Sequence, residues 1–286
     1  MSLDQIFDFT DYGAILALVA NSVLAGAVLG IVGGVMVMQR DMAFAVHGIS
    51  ELSFAGAAAA LLIGVDVVMG SIFGSITAAL LIGVLGARAR ERNSIIGVLM
   101  PAGLGLGILF LALYSGRSAN KFGLLTGQII AVDDPAVWRL IGISAAVLVV
   151  LLLIWRPLSF DSLDPEVAVA RGVPGRALSI VFMLLLGLVV AVSVQIIGAL
   201  LVLALLVTPA AAALRVSASP VLVPILSVTF GLVSALGGIL LAIAGSLPIS
   251  PFITTISFLI YVVCRGIEAT RARTAAGRKV EAEVAA

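Results

Sequence analysis

Long apolar runs are the most constraining feature of this sequence. Nine of them follow one another along the chain, at roughly 13–38, 42–65, 67–87, 94–114, 136–155, 177–194, 196–214, 220–245 and 251–268. A helix of about 20 apolar residues spans the hydrocarbon core of a bilayer, and each run has at least about 18. Charged residues make up 11% of the chain, whereas soluble domains have about 25%. The sequence therefore predicts an all-α polytopic membrane protein.

Two segments leave the number of spans open. The polar residues Ser193 and Gln195 separate the sixth run from the seventh. If they only kink a continuous helix, the chain has eight transmembrane helices instead of nine. The segment 121–132 is too short to cross the membrane alone and fits an interfacial or re-entrant piece. We therefore expect eight or nine transmembrane helices.

The charges between the runs predict the orientation of the chain, because basic loops remain in the cytoplasm. The breaks after runs one, three, five, seven and nine contain Arg40, Arg88, Arg90, Arg92, Arg156, Arg171, Arg176, Arg215, Arg271, Arg273, Arg278 and Lys279. The opposite breaks contain Asp66, Asp133 and Asp134, with Arg117 and Lys121 against the trend. The predicted divisions are an extracytoplasmic segment 1–12, a transmembrane domain 13–268 with a cytoplasmic loop 156–176, and a cytoplasmic tail 269–286.

Glycine spacing within the runs predicts close helix packing. The glycines concerned are Gly26, Gly30 and Gly34 in the first run and Gly103, Gly105 and Gly107 in the fourth. Small residues at such spacing let helix backbones approach closely in lipid. We expect packing within one bundle at these positions and no separate functional role.

The second run contains the chain's single histidine, His47, and a carboxylate four residues later, Glu51. Residues four apart share one face of a helix, and imidazole nitrogen with carboxylate oxygen suits divalent zinc, manganese or iron. Charged groups inside a membrane usually mark a substrate path, so the pair predicts a metal site. The alternative is a structural hydrogen-bonded pair. Two ligands leave an ion undercoordinated, and symmetry, water, Asn21 or Gln195 are the candidates to complete its shell.

The loop 156–176 contains the signals of a short helix outside the membrane. Asp164 is a good N-cap, Pro165 fits the first helical position and Glu166 adds negative charge to the first turn. Gly172 is suited to end the helix. A helix of about two turns is not stable alone in water. We therefore expect it to dock onto another protein or to pack under the bundle.

Enzymatic chemistry has no support in the sequence. No serine or cysteine lies in a recognisable triad context, and His47 lacks the second histidine of an HExxH motif. The two lysines, Lys121 and Lys279, do not follow the glycine pattern of a P-loop. If ATP drives this protein, a partner chain must hydrolyse it.

Four stretches resemble the membrane permeases of ABC importers for zinc, manganese and iron. They are "MQRDMAFAVHGISELSFAG", "NSIIGVLMPAGLGLGILFLAL" followed by "KFGLLTGQIIAV", "FDSLDPEVAVARGVP" and "SVQIIGALLVLALLVTPAAAA". Their order is that of the family and they cover most of residues 20–265. The resemblance implies a type II ABC-importer-like bundle in a bacterial cytoplasmic membrane, working as a homodimer with cytoplasmic ATPase subunits and an extracytoplasmic metal-binding protein. It also implies that the third stretch couples to the ATPase through Asp161, Asp164, Pro165, Glu166, Ala168, Ala170 and Gly172.

The chain departs from the family pattern near its histidine. The family commonly has an aspartate four residues before this histidine, where this chain has Ala43. It also often has a Pro-Gly pair just after, where this chain has Glu51, Leu52 and Ser53. The choice among zinc, manganese and iron therefore stays open, with the metal as cargo and no permanently bound cofactor expected. A proton- or ion-coupled secondary transporter or channel using His47 and Glu51 is the alternative function. An intramembrane metalloenzyme would need more ligands than the sequence offers.

Overall fold

The computed structural model describes residues 35–86, 89–116, 124, 134–245 and 249–285, and every regular element in these ranges is a helix. The helices are, in chain order, α1 (Val35–Gln39), α2 (Ala43–Ile63), α3 (Val67–Leu85), α4 (Ala89–Leu113), α5 (Asp134–Leu163), α6 (Pro165–Ala170), α7 (Gly175–Ile197), α8 (Ala199–Val216), α9 (Leu222–Gly245) and α10 (Ile249–Ala285). The predicted all-α class is confirmed.

Seven helices of the described part are long and apolar enough to cross a membrane, and α8 is a shorter apolar helix. Helices α2–α5 and α7–α10 correspond, in order, to the second to ninth predicted runs. The first run, 13–38, lies outside the described residues apart from its end in α1, and the segment 121–132 lies outside them apart from Leu124. The multi-pass membrane bundle is confirmed, and the first span stays a prediction.

The chain turns between α7 and α8 at a single glycine. Gly198 has a φ of 83°, which glycine adopts without strain. Ser193 and Gln195 lie inside α7, so the boundary predicted at these polar residues is wrong. Ser193 Oγ donates a hydrogen bond of 2.6 Å to the carbonyl of Val189 in the same helix. A hydroxyl that is satisfied inside its own helix does not need to end it.

Helices α7 and α8 cross the bundle in opposite directions. The start of α7 contacts Arg40, whereas Gln195, near its end, donates to the carbonyl of Val67 at 3.5 Å. Ala213, near the end of α8, packs against Val35 of α1, and helix α1 directly precedes Arg40. Helix α8 therefore returns to the end of the bundle where α7 began. The two helices are therefore separate crossings and not one kinked helix. This favours the higher of the two predicted span counts.

Arginines gather at one end of the bundle, which we call the basic end. Arg92, at the start of α4, donates to the backbone carbonyl of Arg40 at 3.5 Å. Arg215, at the end of α8, lies 3.4 Å from Glu268 of α10. Asp66 caps α3 at the opposite end. The grouping agrees with the alternation of charged breaks in the sequence, and by the positive-inside tendency we predict that the basic end faces the cytoplasm.

Helix α2 occupies the centre of the bundle and packs on α3, α4, α7 and α8. Glycines bring its neighbours close: a Cβ atom on Gly56 would collide with the carbonyl oxygen of Gly70 and lie 3.1 Å from the Cα atom of Gly74. On its other side, Gly107 of α4 faces the ring of Phe54. Small residues allow such approach in lipid, where packing and not apolar burial holds helices together. The result is a central helix enclosed on most of its surface.

The predicted orientation is testable by thiol labelling in a Cys264→Ser background. We expect Val65→Cys, exposed beyond the end of α2 that lies away from the basic end, to react with an impermeant reagent added to intact cells. Glu166→Cys, exposed on α6, should react only after the membrane is opened. Labelling of Glu166→Cys from outside intact cells would contradict the orientation.

Candidate functional site

Helix α2 carries His47 and Glu51 on one face, as their spacing predicts. His47 Nε2 lies 3.7 Å from Glu51 Oε1. The Glu51 side chain is 5% exposed and that of His47 is 29% exposed, so the carboxylate is enclosed while the imidazole is reachable. His47 Nδ1 is buried and has no hydrogen-bond partner among the described residues. Buried polar atoms nearly always have a partner, so this nitrogen is an exception among the described residues.

The distance between the two side chains suits ligands of one divalent ion. Nitrogen and carboxylate oxygen bind such an ion at about 2.0–2.2 Å, so two of its ligand atoms are at most about 4.4 Å apart. The 3.7 Å between His47 Nε2 and Glu51 Oε1 falls within this limit. It is also too long for a good hydrogen bond. The distance is therefore compatible with two ligands of one ion, and the two side chains do not form a hydrogen bond with each other.

The described residues supply only part of a coordination shell. Among them, no group of three or more His, Cys, Asp or Glu side chains is arranged to hold a metal ion. Gln195 was a candidate further ligand, but its amide contacts Val67 at the end of the bundle away from His47. The 16 residue-to-residue steps of α2 from His47 to Ile63 alone extend about 24 Å. The structure thus separates Gln195 from the pair, and Asn21 lies outside the described residues.

Helix α4 packs directly on the backbone that carries the pair. A Cβ atom on Gly103 would lie 2.8 Å from the carbonyl carbon of Glu51 and 2.9 Å from the amide nitrogen of Leu52. Gly105 of the same helix faces open space. The predicted packing role is therefore confirmed for Gly103 but not for Gly105. Since α4 leaves no gap at Gly103, it holds the Glu51 backbone in place.

The short helix predicted outside the membrane is present as α6. Asp164 Oδ1 accepts a hydrogen bond of 3.1 Å from the amide of Val167, and Pro165 occupies the first turn. Gly172 has a φ of 79°, a left-handed value at which a side chain would be strained. Cap, proline and glycine therefore all act as the sequence predicts. The expected two-turn helix is confirmed, slightly shorter than expected.

The polar segment around α6 is shorter than the predicted loop 156–176. Helix α5 continues through Pro157 as far as Leu163. A proline removes one backbone hydrogen bond but need not end a helix when packing holds the chain on both sides. Leu158, the next residue, is fully buried. The helix therefore carries Asp161 in its last turn, against the bundle.

The residues predicted to couple to an ATPase divide into two groups. Asp161 and Ala168 are buried, so any role they have in coupling is exerted from within the bundle. The exposed members are Asp164, Pro165, Glu166, Ala170 and Gly172. Two apolar side chains of α6, Val167 and Val169, are also exposed, at 43% and 64%. The two valines are two residues apart and do not share one face of the helix, so each offers a separate apolar contact to a partner protein.

Comparison with known proteins identifies the family. Residues 11–266 match the ABC 3 transport family. The chain belongs to this family. "Manganese transport system membrane protein MntC" of Halalkalibacterium halodurans is 32% identical over 241 residues, covering 83% of this chain and 82% of the relative. "Manganese import system permease protein ScaB" of Streptococcus parasanguinis is 28% identical over 260 residues, covering 91% and 90%.

A solved structure is also similar to this member of the ABC 3 transport family. PsaBC from Streptococcus pneumoniae in complex with Fab contains a chain that matches it with a TM-score of 0.81 and 26% identity. The match covers 92% of this chain and 95% of the other. Family membership confirms the resemblance to ABC-importer permeases. It disfavours the secondary-transporter, channel and metalloenzyme interpretations.

Sequence reasoning missed one residue of this ABC 3 permease. The sequence position of Arg40 indicates only the cytoplasmic side, yet its side chain is 10% exposed and its guanidinium lies 3.0 Å from Asp161 Oδ2. The two residues are 121 positions apart in the sequence. No local pattern connects them. The available signal was that Arg40 is the sole arginine of the first break, directly before the helix with the histidine.

The packing of α4 against the pair yields a matched comparison between two glycines. Gly103→Ala should destabilise the folded permease by about 1–3 kcal/mol, because the added methyl meets backbone atoms of α2 that have no room to move. Gly105→Ala adds the same methyl where the space is open. Thermal unfolding of the two variants in detergent checks this. Equal unfolding temperatures for both would contradict the close contact at Gly103.

Proposed function

We propose that this chain is the membrane-spanning subunit of an ATP-driven importer of divalent transition-metal ions, with manganese as its preferred cargo. The observation that carries the proposal is the His47–Glu51 pair, with a buried carboxylate and 3.7 Å between Nε2 and Oε1, in the central helix of an ABC 3 family permease. Intramembrane ionisable residues usually mark a substrate path.

Manganese is favoured among the three metals considered. Relatives with 32% and 28% identity are named for manganese transport or import. The ligand chemistry is compatible with manganese through the carboxylate oxygen and water, while the imidazole is a ligand that suits zinc and iron, so the preference for manganese rests on the relatives. With His47 and Glu51 as two ligands, water or the second copy of a homodimer completes the shell. An incomplete protein shell also suits transport, since the ion must leave again.

Three partners follow from this function. ATP hydrolysis belongs to a separate cytoplasmic subunit, which we expect to bind the exposed residues of α6. Two such subunits need two permease copies, so the working unit is a homodimer. An extracytoplasmic metal-binding protein delivers the ion at the end of the bundle that holds Asp66. The segments 1–12 and 269–286 are then extracytoplasmic and cytoplasmic extensions of the transmembrane domain 13–268.

The imidazole and the carboxylate have different tasks in this proposal. Neutral His47 donates a nitrogen lone pair, so a proton and the metal compete for the same atom. Glu51 supplies the negative charge that offsets part of the ion's charge in a medium of low dielectric. His47 is the more exposed of the two. Glu51, however, lies one helical turn nearer than His47 to the end of α2 beside Asp66, so an ion delivered at that end would meet the carboxylate first and the imidazole second.

The pair is tested by separate substitutions in a reconstituted importer. His47→Gln and Glu51→Gln should each lower manganese uptake at least about tenfold, as expected for loss of a metal ligand, while membrane insertion and dimerisation persist. Glu51→Asp retracts the carboxylate by one methylene and should change the relative rates for manganese, zinc and iron. Uptake of the isotopically labelled ions in competition measures both effects.

A structural role for the pair predicts a different pattern. The single variants would then fold poorly, because each leaves one buried polar group unpaired. His47→Leu/Glu51→Leu would restore both folding and transport. Wild-type manganese uptake by this double variant would show that the pair is not the cargo site.

The exposed face of α6 is tested by a charge on one valine. Val167→Asp should weaken assembly with the ATPase subunit at least about tenfold, because burying an unpaired carboxylate in an apolar contact costs several kcal/mol. Val221→Asp is the matched control, since Val221 is also exposed and lies in the break between α8 and α9. Co-purification and binding kinetics measure the effect. Equal assembly of both variants would contradict docking through α6.

A further inference from the structure

Arg40 joins three parts of the chain at the basic end. Its guanidinium donates to Asp161 Oδ2 and Ser162 Oγ, each at 3.0 Å, and to Ser179 Oγ at 2.6 Å. It also lies over the ring of Phe182, 5.9 Å from the centroid. The Arg40 and Asp161 side chains are 10% and 8% exposed. We call Arg40, Asp161, Ser162 and Ser179 the Arg40 clamp.

The clamp holds both sides of the segment that contains α6. Asp161 and Ser162 belong to the last turn of α5, and Ser179 lies in the second turn of α7. The start of α7 also closes on the same carboxylate, because a Cβ atom on Gly175 would collide with Asp161 Oδ1. A displacement of α6 would therefore move the end of α5 and the start of α7, which are both hydrogen-bonded to the guanidinium of Arg40.

On its other side, the clamp is fixed to the helix of the metal pair. Arg40 is three residues before α2, and His47 follows seven residues after Arg40, about two helical turns away. The chain between them is tight: Asp41 has a φ of 52°, and the amide of Met42 donates to the carbonyl of Val37 at 2.8 Å. A short, hydrogen-bonded turn cannot absorb much movement. Motion of Arg40 therefore passes to the start of α2.

Beside the clamp, a cavity separates α6 from the start of α2. Its volume is about 580 Å³, and its lining includes Pro165 and Val169 of α6 as well as Met42 and Arg92. Across this space α6 has no close packing that would push directly on α2. Arg40 and Asp161 border the same cavity. The clamp thus bridges two elements that are otherwise spaced apart here.

We propose that Arg40 is a positioning residue that transmits the movement of α6 to the start of α2, and so to His47 and Glu51. This rests on the proposed function, in which an ATPase subunit moves α6. Arginine suits the task because its planar fork bonds several acceptors at once in fixed geometry, whereas lysine presents a single charged nitrogen. The chemistry of the cargo site is unchanged by the clamp. What the clamp determines is whether that site responds to ATP.

The test uses the complete importer in proteoliposomes, with permease, ATPase subunit and binding protein. The primary variant is Arg40→Met/Asp161→Leu, which removes both buried charges together. Replacing a buried ion pair by apolar groups is often neutral or stabilising. Manganese ions imported per ATP hydrolysed should fall at least about tenfold in this variant. Arg215→Met is the matched control, because Arg215 also pairs with a carboxylate, that of Glu268, at the basic end but does not contact the clamp; its ratio should equal that of the wild type.

A second measurement separates transmission from a merely structural role. Nucleotide-dependent changes in hydrogen exchange are recorded in the peptides covering 41–50 and 165–173. In the wild type both peptides should respond to ATP. In Arg40→Met/Asp161→Leu the response at 165–173 should persist while that at 41–50 disappears. A response at both peptides, or a wild-type import ratio, would overturn the proposal.

If the double variant does not assemble, Arg40→Lys tests whether Arg40 transmits the movement of α6. It keeps a charge opposite Asp161, but one ammonium cannot reproduce the fork of bonds to Asp161, Ser162 and Ser179. We expect an import ratio about threefold below that of the wild type, and an unchanged ratio would overturn the proposal. Failure of the proposed function would appear differently, since wild-type proteoliposomes would then import no manganese on adding ATP.

Discussion

The contact between α2 and its two neighbours, α3 and α4, is the interaction on which the rest of the structure depends. Lipid tails are as apolar as the helix surfaces, so no hydrophobic effect drives these helices together. Their association requires close packing of the backbones. Gly56 opposite Gly70 and Gly74, and Gly103 opposite Glu51, supply that packing. Because α2 is enclosed in this way, a carboxylate at position 51 is removed from lipid. The glycine contacts are therefore a condition for placing an ionisable pair in the membrane at all.

Two polar pairs of the described structure, Arg40–Asp161 and His47–Glu51, differ in how their polar atoms are bonded. The Arg40–Asp161 pair is closed: its charges lie 3.0 Å apart, and two serine hydroxyls complete the arginine's bonding. The His47–Glu51 pair is open, with 3.7 Å between its atoms and a buried ring nitrogen that has no partner among the described residues. A closed pair fixes a shape, whereas the spacing of the second pair matches that of two ligands of one ion. This contrast separates the structural centre from the one proposed to bind cargo.

Much of the fold was predictable because membrane insertion needs long apolar runs, which the sequence displays directly. The cap of α6 was predictable for a similar reason, since Asp164, Pro165 and Gly172 act within a few residues of one another. The boundary at Ser193 failed because its hydroxyl bonds to its own helix, a choice that composition does not reveal. The hydrogen bond between Arg40 and Asp161 could not be predicted from the sequence, because the two residues are 121 positions apart and meet only through helix packing. At the site, spacing predicted the shared face of His47 and Glu51, while the separation of Gln195 required the fold.

The length of α10 has a consequence for whatever approaches the permease from the basic end. The helix has 37 residues, or about 55 Å, against about 30 Å for the hydrocarbon core of a bilayer. Its apolar span ends at Arg271, so the remaining residues, 272–285, continue as a rod of about 21 Å. Such a rod extends beyond the apolar span at the basic end. A second molecule that approaches the permease from this end must pass beside it.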